Sequence, residues 1–360
     1  MNRRRFAFAA GLIAAAAFAK ASVSFVPVVS AQLKPGAAAA DVALYEGADR
    51  LQKIVAGAKK EGALNIYTSA QTTDLGPVVS AFEKKYGIKV SVWRAGSENV
   101  LHRALQESRG NRFTVDVIET NGPELESLHR EKILQLVKSP HHADLIAPAI
   151  RPHGEWVGTR LNVFVQAYNT KLVKKEELPK TWEDLLNPRW KSKLGIEQED
   201  SDWLAGVFSD IGEAKGRKLF KEIVAANRIS VRKGHTLLTQ LVVSGEVPLA
   251  FTVYNYKAEQ LKMQGAPIDW FAIGKAIARP NGVAVARKAP HPHAAVLFYD
   301  FELSEEGQKI LATRDFVPTS KKIDTPLNKL PMKFVDARVT IDEYDKWKNL
   351  YEELFGAGGR

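Results

Sequence analysis

Ala63-Leu64-Asn65-Ile66-Tyr67-Thr68 opens the stretch that decides the fold. It is a short apolar strand pattern. Leu75, Val78, Val79, Phe82 and Tyr86 follow at helical spacing and stop at Gly87. Ile88, Val90 and Val92 then alternate, as a half-buried strand does. Val100, Leu101, Ala104 and Leu105 mark one face of the next helix, and Val115 to Glu119 reads as a third strand. Pro123 suits the first turn of a helix, with Asn121 as its cap. Upstream, Leu51, Ile54, Val55 and Ala58 predict a helix that ends at Gly62.

Strands and helices that alternate in this order make a parallel sheet with right-handed crossovers. Ligands meet such sheets at the carboxyl ends of the strands, where helix N-termini point their amides. The segments there are Thr68 to Thr72, Arg94 to Asn99, and Thr120-Asn121-Gly122. They are rich in hydroxyls, amides and glycine. Any one of them could simply cap a helix, but three converging on one edge point to a site. Ser69, Gln71, Thr120 and Asn121 are its candidate residues.

Downstream lies a long apolar strand, Leu161 to Tyr168, and then a second alternating region from Lys171 to Val253. Gly282 to Ala286 is again strand-like, followed by helices from His291 and from Glu305, the latter capped by Ser304. The expected architecture is α/β with two lobes. The first comprises residues 43–165 with 282–360, and the second 166–281. The chain crosses between them twice, near 162–168 and near 276–283, which makes a hinge with a ligand cleft between the lobes.

The chain has 360 residues, enough for two cores. Its formal charge is +10, but Arg3, Arg4, Arg5 and Lys20 precede residue 31 with no acid among them, leaving +6 for the rest. The remaining cations are interspersed with acids and form no basic run, so no nucleic-acid partner is expected. There is no cysteine, which excludes disulfides, thiolate metal sites and cysteine nucleophiles. The first residues read as an export signal over 1–31: an arginine cluster, an apolar run from Phe6 to Ala19, and a small-residue exit at Val29-Ser30-Ala31. Arg3-Arg4-Arg5-Phe6 resembles the twin-arginine element. The expected location is periplasmic.

An ordered set of segments resembles the ferric-iron-type extracellular solute-binding proteins of ABC importers. Its carriers include Leu64 to Ser69, Phe82 to Val90, Asp116 to Thr120, Ala167-Tyr168-Asn169-Thr170, Pro179 to Leu185, Ser244 to Leu249, Asn281 to Ala284, Ala289 to Ala295 and Leu303 to Gln308. The resemblance implies a two-lobed periplasmic-binding-protein fold that closes on its ligand. It implies no catalytic residues and no resident cofactor. Its partners would be ABC permease and ATPase subunits, with the binding protein itself a monomer.

Iron-binding members of that family use two adjacent tyrosines. The matching segment here is Val253-Tyr254-Asn255-Tyr256-Lys257, in which the tyrosines are not adjacent. If the segment is a strand, Tyr254 and Tyr256 share a face. Lys257 is a cation where a second tyrosine is expected, and it would repel iron. The reading therefore favours a small organic anion (a carboxylate, phosphonate or sugar phosphate), with Tyr254, Tyr256 and Asn281 completing the site, and Trp203 either lining the cleft with them or sitting in the second-lobe core. Ferric iron as cargo is the alternative, and Tyr254 and Tyr256 are metal ligands only in that case. A sensor that presents its ligand to a membrane receptor is a further alternative.

His141-His142 and His291-x-His293 are read as non-metal pairs, the second at a helix start facing solvent. Glu197, Glu199, Asp200 and Asp202 are read as acids favoured by a helix start. No Gly-x-Ser-x-Gly, His-Glu-x-x-His or phosphate-binding glycine loop is present, so an enzyme is not expected.

Overall fold

The computed structural model describes residues 38–356; the export-signal reading over 1–31 lies outside them. The first half runs α1 (Ala39–Ala43), α2 (Arg50–Glu61), β1 (Ala63–Thr68), α3 (Thr72–Tyr86), β2 (Lys89–Arg94), α4 (Ser97–Arg109), β3 (Val117–Asn121), α5 (Gly122–Arg130) and β4 (Leu134–Gln135). Then come β5 (Val157–Asn169), β6 (Leu194–Glu197), α6 (Ser201–Ile211), α7 (Glu213–Asn227), β7 (Ser230–Arg232), α8 (His235–Ser244), β8 (Leu249–Tyr254), α9 (Asn255–Met263), β9 (Ile268–Phe271) and β10 (Ala276–Ala286). The chain ends with α10 (Pro292–Leu303), α11 (Glu305–Ala312), β11 (Val317–Pro318), β12 (Met332–Phe334), α12 (Ala337–Asp342) and α13 (Tyr344–Phe355). Among the described residues no helix is long and apolar enough to cross a membrane.

The signals that set the first lobe act locally. Gly62 and Gly87 close α2 and α3 in the left-handed region, at φ 68° and 71°, where a side chain is strained. Ile54, Ala58, Val78 and Phe82 are buried as their spacing predicts, whereas Leu51, counted on the same face, is exposed. Ser304 caps α11 by accepting from the Gly307 amide.

The main path of the sheet runs β2-β1-β3-β10-β5-β8-β6-β7. β1 is parallel to β2 and β3, and β6 is parallel to β7 and β8. These are the two lobe sheets. The strands between them, β5 and β10, are long, antiparallel and buried along their whole length. They are the two expected crossings. Their register shifts between Asn281 and Gly282. A Cβ on Gly282 would meet the Val157 carbonyl oxygen at 2.3 Å, so only glycine permits that approach.

The C-terminal segment departs from the expected assignment to the first lobe. α12 packs on α5 there, but α13 lies on α6 and α7 of the second lobe. Trp347 meets Phe208 with ring centroids 6.1 Å apart, Phe355 meets Phe220 at 6.5 Å, and the Tyr351 hydroxyl donates to the Glu197 carbonyl. The chain thus passes between the lobes once more after β12. An amphipathic helix shows which of its faces is buried but not what buries it.

Candidate functional site

β5 and β10 carry the same short pattern, Arg160-Leu161-Asn162 and Arg279-Pro280-Asn281. Antiparallel register sets Arg160 opposite Asn281 and Asn162 opposite Arg279. Directly opposed residues share a face, as do residues two apart on one strand. The four polar side chains therefore lie together on the pair of crossing strands. Only Asn281 was a candidate from sequence. The signal for Arg160 and Arg279 was a charge inside a strand, because a buried ion must have partners.

Those partners come from both lobes. The Arg160 guanidinium bonds Glu119 of β3, and Glu302 of α10 lies 4.0 Å away. Burial, with the Glu119 charge adding to it and Arg160 opposing, pushes the Glu302 carboxyl up to about 8. The Arg279 guanidinium bonds Asp202 of α6 at 2.5 Å and also donates to the Tyr254 hydroxyl.

On the first-lobe side the expected strand ends do converge. Asn121 Oδ1 accepts from Asn162 at 2.9 Å and from Asn281 at 3.1 Å, while its Nδ2 donates to Ser97 at 2.7 Å. Asn121 stands at the N-cap position of α5 but caps nothing with its side chain. Thr120 donates to Ser69 at 3.1 Å. Gln71 is at the N-cap position of α3, half-buried, also without a side-chain capping bond.

The tyrosines come from the second lobe, though not on one strand face. β8 ends at Tyr254 and α9 begins at Asn255, so the segment turns between them. That turn still brings the rings side by side, with centroids 5.9 Å apart and planes at 15°. Tyr254 also stacks on His235 at 3.9 Å, and Tyr256 packs on Phe316 at 4.4 Å. Burial raises the Tyr254 phenol well above its usual value, with Arg279 pulling the other way; burial also raises Tyr256, with Asp74 adding to it and Arg160 opposing.

Trp203 is not part of this arrangement. Its indole is 1% exposed and packs against Trp182, Phe220 and Phe251 in the second-lobe core. The acids before it are also corrected. Glu197, Asp200 and Asp202 are buried rather than a solvated helix start. Asp200 bonds His235 at 3.0 Å, and Glu197 accepts the amides of Glu199 and Gly234. Of the histidine pairs, His142 contacts the Tyr299 hydroxyl at 2.8 Å and His291 contacts Asp116. His293 is buried against Glu61 rather than facing solvent.

Among the described residues two groups bring three metal-type ligand atoms within 4.8 Å of one another: Glu197, Asp200 and His235, and Glu126, His129 and His153. In the first group the Glu197 carboxylate is already occupied by backbone amides. In the second the imidazoles stack at 3.7 Å and 12°. Rings stacked face to face point their lone pairs in parallel rather than at a common ion.

Lys257 stands beside the tyrosine pair, its ammonium 5.1 Å from the centroid of the Tyr256 ring. Its ammonium bonds Asp74 at the start of α3, 2.7 Å away, and Gln260 and Arg314 reach the same carboxylate. Asp74 is 1% exposed, and its bonds join α9 of the second lobe to α3 of the first. Asp74→Asn should weaken this latch by about 1–3 kcal/mol. Ligand affinity should fall accordingly by calorimetry, and small-angle scattering should show a wider ligand-free protein.

Residues 115–343 match the family model described as bacterial extracellular solute-binding protein. The chain belongs to that family. Iron uptake protein A1 of Synechocystis is a similar protein, 26% identical over 301 residues that cover 79% of this chain and 82% of that one. The Fe(3+)-binding periplasmic protein of Serratia marcescens is 24% identical over 293 residues, 78% and 86% of the two chains. Among solved structures, iron-bound HitA from Pseudomonas aeruginosa superposes with a TM-score of 0.71 at 23% identity, covering 81% of this chain and 99% of its own. AfuA from Actinobacillus pleuropneumoniae, with fructose-6-phosphate bound, also gives 0.71, at 22% identity and coverages of 82% and 99%. These likenesses establish the fold of a solute-binding protein, two lobes about a cleft, and are shared by proteins whose ligands differ.

Proposed function

We propose that this solute-binding protein is the exported, periplasmic component of an ABC importer, and that its cargo is a small organic anion: a carboxylate, phosphonate or sugar phosphate. Residues 1–31 would direct export. The protein would act as a monomer that closes on its ligand and hands it to the permease and ATPase subunits, with no chemical turnover. The observation that carries the choice of ligand is Arg279. Its guanidinium bonds the Tyr254 hydroxyl, the oxygen that iron would have to take. A phenol held neutral by burial beside a fixed cation is a poor ferric ligand and a good hydrogen-bonding wall for an anion.

Ferric iron is the second reading. It draws on the near-parallel tyrosine pair and on the relatives named for iron. Tyr254 and Tyr256 would then be the metal ligands, and Arg279 would have to leave Tyr254.

The sign of the pH dependence separates the two. Glu124 lies in the first turn of α5, close enough to Arg279 to feel its charge; burial pushes its carboxyl up to about 7, with Arg279 pulling it down. Burial alone would lower His235, but Asp200 and Glu197 raise it on balance. An anion bound nearby favours the protonated form of both groups, so binding takes up protons. Affinity should therefore rise as pH falls from about 8 to about 6. Iron would expel those protons and the phenol protons as well, and its affinity should rise with pH. Calorimetric titration across this range reads the sign, and Glu124→Gln should flatten the part centred near neutrality. An affinity that climbs with pH contradicts the organic-anion reading.

A further inference from the structure

Arg160 and Arg279 stand diagonally on the pair of crossing strands. Arg160 faces Asn281, and Arg279 lies two residues before Asn281 on the same strand. Diagonal neighbours of this kind sit about 7–8 Å apart. Arg160 is bonded by Glu119, with Glu302 4.0 Å away, and Arg279 by Asp202. The two residues are only 2% and 9% exposed, respectively, yet the Nε of each has no hydrogen-bond partner. A buried N–H on a cation carries a desolvation penalty until an acceptor meets it. Asn281 Oδ1, between them, is also buried without a partner. Arg279 also donates to the Tyr254 hydroxyl. Two buried cations on one floor, each with an unanswered Nε, leave room for two acceptors.

We propose that the ligand is a small dianion with an acidic group at each end, a dicarboxylate or phosphonocarboxylate, seated with one end on Arg160 and the other on Arg279. This rests on the organic-anion reading and narrows it. A monoanion would leave one socket unanswered. The hinge strands fix the spacing of the sockets, so ligand length should matter.

The test is calorimetry on the metal-stripped protein with the dicarboxylates from malonate to adipate, phosphonoacetate and 3-phosphonopropionate. Each is compared with the mono-acid of the same length. One length of di-acid should bind about 10–100-fold tighter than its mono-acid. Arg160→Lys and Arg279→Lys keep the charge but lose the planar fork and its Nε. Each should bring the di-acid down to the affinity of the mono-acid, while the mono-acid's own affinity changes little. If a variant does not fold, the length series on the unaltered protein still decides. Equal binding of mono- and di-acids, or a tight monoanion indifferent to Arg160→Lys, overturns this inference and leaves the organic-anion reading standing. A response to ferric iron alone overturns both.

Discussion

Arg279→Met is expected to abolish ligand binding and to destabilise the fold by about 3–5 kcal/mol. The substitution fills similar space, so packing is not the main loss. The loss is electrostatic. Asp202 is 3% exposed and is held by Arg279. Without the guanidinium it becomes an uncompensated buried charge, and the Tyr254 hydroxyl loses its donor as well. Replacing both partners removes the stranded charge. Arg279→Met with Asp202→Asn should therefore recover most of the stability, while binding stays lost. Urea denaturation of the two single variants and the double variant measures the coupling directly. A single variant within about 1 kcal/mol of the unaltered protein, or one that still binds, would remove Arg279 from the centre of the account.

Trp203→Ala should cost about 3–5 kcal/mol for a different reason. The indole fills the aromatic core between Trp182, Phe220 and Phe251, with centroid separations of 5.6, 5.9 and 6.5 Å. Truncation leaves a cavity that α6 and α7 cannot close without moving. The gentler Trp203→Phe should lower stability by less and leave ligand affinity unchanged. Thermal denaturation and calorimetry on the same samples separate the two effects. An affinity lost in Trp203→Phe at nearly full stability would return Trp203 to the binding site.

The elements that sequence made legible are those with local causes. Gly62 and Gly87 end helices because their own backbone takes the left-handed region. The alternation of β1, α3, β2, α4 and β3 follows from periodicity, and it brings Ser69, Thr120 and Asn121 to one edge. What sequence concealed needs partners far along the chain. Arg160 and Arg279 are 119 residues apart and become one floor only through the antiparallel register of β5 and β10. Asp200 and Asp202 look like surface acids until His235 and Arg279 are known to cover them. Tyr254 and Tyr256 follow no strand parity, because the strand stops between them. The site is thus half a matter of local pattern and half a matter of which buried charges answer each other.

The most direct test of the central claim is a thermal-shift measurement on the metal-stripped protein, with ferric citrate in one series and carboxylates, phosphonates and sugar phosphates in another. A ligand at about 100 times its dissociation constant should add about 2.7 kcal/mol of stability, which raises the midpoint by several degrees. The account predicts such a rise with an organic anion and none with iron beyond that of citrate alone. A rise specific to iron, with a visible phenolate charge-transfer band lost in Tyr254→Phe, would contradict it.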